Sequence, residues 1–156
     1  MPSWSWKTFR ELTLDELYAV LALRQEVFVV EQRSIYQDVD GLDPSALHLL
    51  GMESDEGGKP WLAAYLRVFK PDVKYPGATS LGRVVASPRA RGQGLGRELT
   101  QRGITELERR FPGVDIRISA QDYLRRFYAS LGFVAVGDVY DEDGIPHVEM
   151  VRSARR

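Results

Sequence analysis

The protein has 156 residues, 44% hydrophobic and 28% charged, with 21 Lys plus Arg set against 22 Asp plus Glu. That is one ordinary domain's worth of chain with enough apolar content for a core, and a net charge of -1 does not describe a general nucleic-acid binder. The absence of cysteine excludes disulfides, Cys-ligated zinc, iron–sulfur clusters and a thiol nucleophile, and the absence of asparagine excludes an N-glycosylation acceptor.

Residues 4–9 alternate bulky and polar side chains and predict a strand. Thr13 followed by Glu16 forms a capping box. Behind it Leu14, Leu17, Tyr18, Leu21, Val27 and Phe28 approximate helical spacing and predict a helix over 14–29. Residues 31–45 hold turn formers, among them Asp38, Asp40 and Asp43, and read as a loop. Strands follow at 47–52 and 60–69 across the polar turn 54–59, and another at 80–87. A helix is predicted over 92–110, stopped by Pro112 and Gly113, then a strand at 114–119 and a short helix at 122–131 ended by Gly132. Strands at 133–137 and 147–152 flank the turn 141–146, and residues 153–156 read as a frayed tail. The order β-α-ββ-β-α-β-α-ββ, with no repeat or linker, predicts one α/β domain. No apolar window approaches a membrane span and the N-terminus lacks a signal-peptide pattern, so the expected setting is the cytoplasm, with no membrane partner.

The most informative segment is a strand, a turn and a helix start. Val84, Val85 and Ala86 are followed by Arg91, Gly92, Gln93, Gly94, Leu95, Gly96 and Arg97. Glycines let a backbone approach a ligand closely, and a helix N-terminus offers free N–H groups and partial positive charge, which together cradle a phosphate. No carboxylate lies between Asp72 and Glu98, whereas Lys74, Arg83, Arg89, Arg91 and Arg97 do, so the region suits an anion. The turn lacks the Gly-Lys-Ser/Thr of a nucleoside-triphosphate P-loop and the G-x-G-x-x-G spacing of a dinucleotide site. The two histidines, His48 and His147, are about 100 positions apart and give no metal-ligand spacing, and the Asp38–Asp40 run does not fit a calcium loop.

The turn at 91–96 instead resembles the Arg/Gln-x-x-Gly-x-Gly/Ala turn of the GCN5-related N-acetyltransferase (GNAT) superfamily. Phe127, Tyr128 and the Gly132-Phe133 pair resemble its later motif, and the segments at 26–32, 36–38, 119–121 and 140–147 are similar to its ElaA-like branch. The resemblance spans nearly the whole chain. It implies a mixed central sheet splayed between the fourth and fifth strands, flanked by helices, with acetyl-CoA as acetyl donor and no metal. It further implies that residues 84–86 pair with the pantetheine arm, that an amide such as that of Val85 steadies the thioester oxygen, and that residues 91–97 hold the pyrophosphate. Gln121 stands where the family often has Asn at the cofactor. Tyr128 is implied as the acid serving the leaving thiolate. For a base on the acceptor side the candidates are Glu31, which ends the first helical region and could equally form a surface salt bridge, Asp38, Asp40, Asp43, Glu149 and His147; the three aspartates could also serve as turn formers or draw in a cationic amine. The implied activity is acetyl transfer to a primary amine by direct attack in a ternary complex, the alternative being a non-catalytic acyl-CoA sensor. The acceptor, a small-molecule amine or a protein amine, and the existence of a homodimer are left open by the sequence.

Overall fold

The computed structural model describes residues 1–154, and the last two positions of the expected frayed tail lie outside them. Seven strands form two antiparallel sheets. β1 (Ser3–Thr8), β2 (Leu47–Ser54), β3 (Pro60–Phe69) and β4 (Ser80–Ala86) make the first, in chain order. β5 (Ile116–Gln121), β6 (Val134–Glu142) and β7 (Ile145–Arg152) make the second, in the order β5-β7-β6. Between β4 and β5 there is a single parallel bridge, Thr79 to Ile116, at the start of both strands. Its bonds are Thr79 N–H to the Asp115 carbonyl (3.0 Å) and Arg117 N–H to the Thr79 carbonyl (2.9 Å). Beyond that point no ladder joins the strands, so they splay and leave main-chain edges open. This is the splayed α/β architecture that the GNAT resemblance implied.

α1 (Leu14–Arg24) starts at the expected box: Thr13 accepts from Glu16 N–H at 3.0 Å and Glu16 accepts from Thr13 N–H at 2.8 Å. The helix does not run on to 29 in α form. Gln25–Glu31 widens into a π-helix, with Gln32 N–H on the Val27 carbonyl (3.0 Å). Not all of the residues with that helical spacing turn inward. Leu14 is 87% and Tyr18 78% exposed, and the inner face is Val20, Leu23, Arg24 and Val27. Both sets have i, i+3, i+4, i+7 spacing, and the set containing a charge faces inward because Arg24 finds carboxylates there.

α2 (Leu95–Arg110) covers the opposite face of the first sheet with Leu95, Leu99, Ile104 and Leu107. It begins three residues later than the periodicity predicts, because Gly92 (φ 83°) and Gly94 (φ 72°) are left-handed and cannot belong to the helix. Gly103 allows close contact with the sheet, since a Cβ there would meet Leu66 at 3.1 Å. α3 (Arg125–Ala129), preceded by a 3-10 turn at Asp122–Leu124, sets Tyr128 against Phe127 and Phe133 edge-on, at 5.1 and 5.8 Å between ring centroids. The visible end of the tail is tied rather than frayed, with Ala154 N–H donating to Asp115 at 2.8 Å. Among the described residues no helix is long and apolar enough to cross a membrane.

Candidate active site

The splay opens a cleft of about 830 Å³ running from Arg91, ahead of α2, past β4, β5 and Tyr128, to a polar end under the 31–43 segment and the β6–β7 turn. A β-bulge in β4 opposite Tyr65–Arg67 places Arg83 at φ 51°, a conformation that disfavours ordinary side chains and interrupts the ladder. Farther along, Ser87 N–H donates to the Ala63 carbonyl of β3 at 2.8 Å. Main-chain groups alternate along an antiparallel ladder, so those of Val85 also face β3 and those of Ala86 face the cleft. The expected oxyanion donor, the Val85 amide, is therefore turned away from the opening. Val85's side chain is buried against α1, while Val84 and Ala86 pack on the core on the α2 side.

At the mouth, residues 91–97 present seven consecutive main-chain N–H groups with no hydrogen-bond acceptor among the described residues; the first helical bond at this end is Glu98 N–H to the Gly94 carbonyl, at 3.2 Å. An ideal Cβ at Gly92, Gly94 or Gly96 meets nothing within 4 Å, so the space in front of the turn is clear. Seven free donors at a helix N-terminus make an anion cradle. Arg97 Nη1 donates to Ser130 Oγ (2.9 Å), and Gln121 Nε2 donates to Gln32 Oε1 (3.1 Å) across the splay.

Tyr128 is 7% exposed and lines the cleft. Burial pushes its hydroxyl up to about 12, with Tyr123 adding to the shift, so it stays protonated at neutral pH. His147 sits on β7 with Nδ1 2.7 Å from the Ile145 carbonyl and Nε2 3.1 Å from Glu142 Oε2. Glu31 reaches back to the cradle: its carboxylate accepts from Arg91 Nη2 at 2.6 Å, and both side chains are nearly half exposed. The structure thus brings Tyr128, His147 and Glu31 to one cleft, with Glu31 paired to Arg91.

The sequence reading missed the wall beneath the acceptor end. Asp38, Asp40 and Asp43 are more than turn formers. Arg24, fully buried, donates to Asp38 (2.8 Å) and Asp43 (2.6 Å); Arg67, 1% exposed, donates to Asp43 (2.8 Å) and Asp40 (2.5 Å); Arg83 Nε lies 2.8 Å from Asp38 Oδ1. Burial alone would raise the Asp43 carboxyl, but Arg24 and Arg67 hold it below the usual carboxylate range. His48 Nε2 donates to the Asp43 carbonyl (3.0 Å), so its Nδ1 accepts from Tyr65 Oη (2.6 Å) and the ring is neutral. The one sequence signal for this network was the crowding of aspartates in a loop near β-strand arginines.

A row of free amides, an open strand edge and a buried tyrosine around one cleft fit an acyltransferase of the coenzyme A-dependent type. Comparison makes the class specific: residues 67–154 match the acetyltransferase (GNAT) domain family. The chain is 44% identical to a UPF0039 protein of Synechocystis over 96% of this chain and 94% of that one, and 40% identical to protein ElaA of Escherichia coli over 97% of each. Its structure is similar to an acyl-CoA N-acyltransferase of Pseudomonas aeruginosa, with TM-score 0.88, 46% identity and coverage of 98% of this chain and 100% of that one. The chain belongs to the GNAT acetyltransferase family, with ElaA among its relatives.

Proposed function

We propose that the protein moves an acetyl group from acetyl-CoA to a primary amine by direct attack within a ternary complex. The observation that carries this is the row of seven free amides at residues 91–97 beside a cleft whose strand edge is open. The amides of that row would hold the pyrophosphate, with Arg91 adding charge once it leaves Glu31, and residues 84–86 would align the pantetheine arm as an added strand. Bound there, acetyl-CoA supplies an electrophilic thioester carbonyl.

The chain's own residues then have three tasks. The edge of β4 offers the Ala86 amide as a donor facing the cleft. The acceptor amine must be neutral to attack; Glu142 and Glu149 line its approach, and His147, hydrogen-bonded at Nδ1, points Nε2 toward Glu142 as a proton-accepting pair. Tyr128, kept protonated by burial, gives its proton to the departing sulfur. Glu31 lines the same cleft and is held by Arg91 through one carboxylate oxygen, so it becomes a second candidate base once Arg91 turns to the pyrophosphate.

The test is thermal stabilisation by CoA, acetyl-CoA and ATP in parallel, followed by thiol release with an amine panel. CoA at about 100 times its dissociation constant should add about 2.7 kcal/mol. Stabilisation by ATP alone would overturn the reading.

A further inference from the structure

The acceptor end of the cleft has two walls of opposite charge. On the β3–β4 side, three guanidiniums (Arg24, Arg67, Arg83) meet three carboxylates (Asp38, Asp40, Asp43) and satisfy one another's charge. Lys74, on the loop before β4, lies beside this cluster, lines the cleft and forms no ion pair among the described residues. Of the carboxylates near enough to act on it, Asp40 is taken by Arg67 and Arg83, and Glu142 stands on the facing wall of the cleft. One cation is therefore left over at this wall. Arg67 supports the same conclusion: it is 1% exposed, it lines the cleft, and its Nε has no hydrogen-bond acceptor. An unmatched buried donor and an unmatched ammonium both call for an acceptor-type anion. The facing wall carries Glu142, Asp143 and Glu149, of which Glu149 is paired with Arg117 at 2.8 Å, so it stays acidic through Glu142 and Asp143.

We propose that the acceptor is a zwitterion, an amine that also carries a carboxylate in the manner of an amino acid, and that Lys74 is the residue that selects it by pairing with that carboxylate. This deepens the acetyltransferase reading and rests on it. The amine end faces the acidic wall and the carboxylate end faces Lys74, so the ligand's two charges match the cleft's two walls. Protein atoms crowding the Lys74 ammonium pull its pKa down, and Arg67 and Arg83 add to that, although solvent reaches the side chain; an incoming carboxylate relieves this strain. A polycationic acceptor such as a polyamine or an aminoglycoside would instead set like charge against Lys74, Arg67 and Arg83. In the transfer itself the amine nitrogen forms the new bond to the acetyl carbon, the carbon–sulfur bond breaks, the sulfur takes the Tyr128 proton, and the amine's proton passes to the His147–Glu142 side.

The experiment compares matched acceptors with and without the carboxylate: L-lysine with cadaverine, L-ornithine with putrescine, and L-phenylalanine with phenethylamine, each with acetyl-CoA and thiol-release detection. The carboxylated member should have a kcat/KM at least about tenfold higher in one or more pairs. Lys74→Met should raise KM for that acceptor about tenfold or more, with kcat and the KM for acetyl-CoA nearly unchanged and the decarboxylated partner unaffected, and Lys74→Arg should recover part of the loss. Decarboxylated amines that match or exceed their partners throughout, a Lys74→Met variant with the wild-type preference, or no turnover of any carboxylated amine by protein that CoA stabilises would each overturn the proposal. Failure of CoA to stabilise the protein would instead overturn the acetyltransferase reading beneath it.

Discussion

Replacing Arg24 by leucine tests whether the buried ion network holds the acceptor wall in place. Arg24 is fully buried and donates three hydrogen bonds, to Asp38 Oδ2 (2.8 Å), Asp43 Oδ1 (2.6 Å) and the Asp38 carbonyl (2.9 Å). Asp38 keeps Arg83 and the Tyr36 hydroxyl, and Asp43 keeps Arg67, so neither carboxylate is wholly orphaned. Breaking one partner out of a buried pair costs about 3–5 kcal/mol, and the retained contacts place Arg24→Leu at the lower end, about 3 kcal/mol. With a urea m-value of about 2 kcal/mol/M the unfolding midpoint should fall by about 1.5 M. Arg110→Gln, which removes an exposed pair with Glu106, should cost no more than about 0.5 kcal/mol and serves as the control. The pH dependence has a definite sign. Asp40 and Asp43 are held below their ordinary values in the fold, so the stability they contribute is present above the unfolded carboxylate pKa of about 3.9 and is lost as pH falls. The gap between wild type and Arg24→Leu should therefore narrow below about pH 4. A loss under about 1 kcal/mol, or a gap that stays constant from pH 7 to 3, would show that the network does not carry the energy assigned to it.

Three other outcomes are expected. Gly94→Val places a β-branched residue at φ 72° in the cradle; it should cost about 1–2 kcal/mol in strain and abolish the CoA-induced rise in melting temperature while circular dichroism stays native. Tyr128→Phe should lower kcat by about 100-fold with little change in CoA affinity, and a full rate across the pH range would remove Tyr128 from the acid role. His48, buried and held neutral by its two hydrogen bonds, has its pKa lowered by burial; the unfolded chain takes up its proton first, so stability should decline as pH falls below about 6.5, and His48→Gln should flatten that slope in urea titrations at pH 5 to 7.

Much of this protein was legible in its residues because the signals were local. The Thr13–Glu16 box, the alternation along β2 and β3, and the glycines at 92, 94 and 96 each act over a few positions, so chain order alone carries them. The GNAT resemblance likewise rests on short segments in fixed order. The sequence could not choose between the two apolar faces of α1, because both have helical spacing; the choice fell to the face bearing Arg24, whose partners lie 14 and 19 positions away. Only the fold showed that Glu31, 60 positions from Arg91, is tied to the cradle, and that Gln121 meets Gln32 across 89. Charge pairing over such separations is decided when packing excludes water and each buried ion must take whatever counterion the tertiary structure brings near. For the same reason the surplus cation at Lys74 is invisible in a count of 21 against 22 charges and appears only when the ion pairs of its own wall are known.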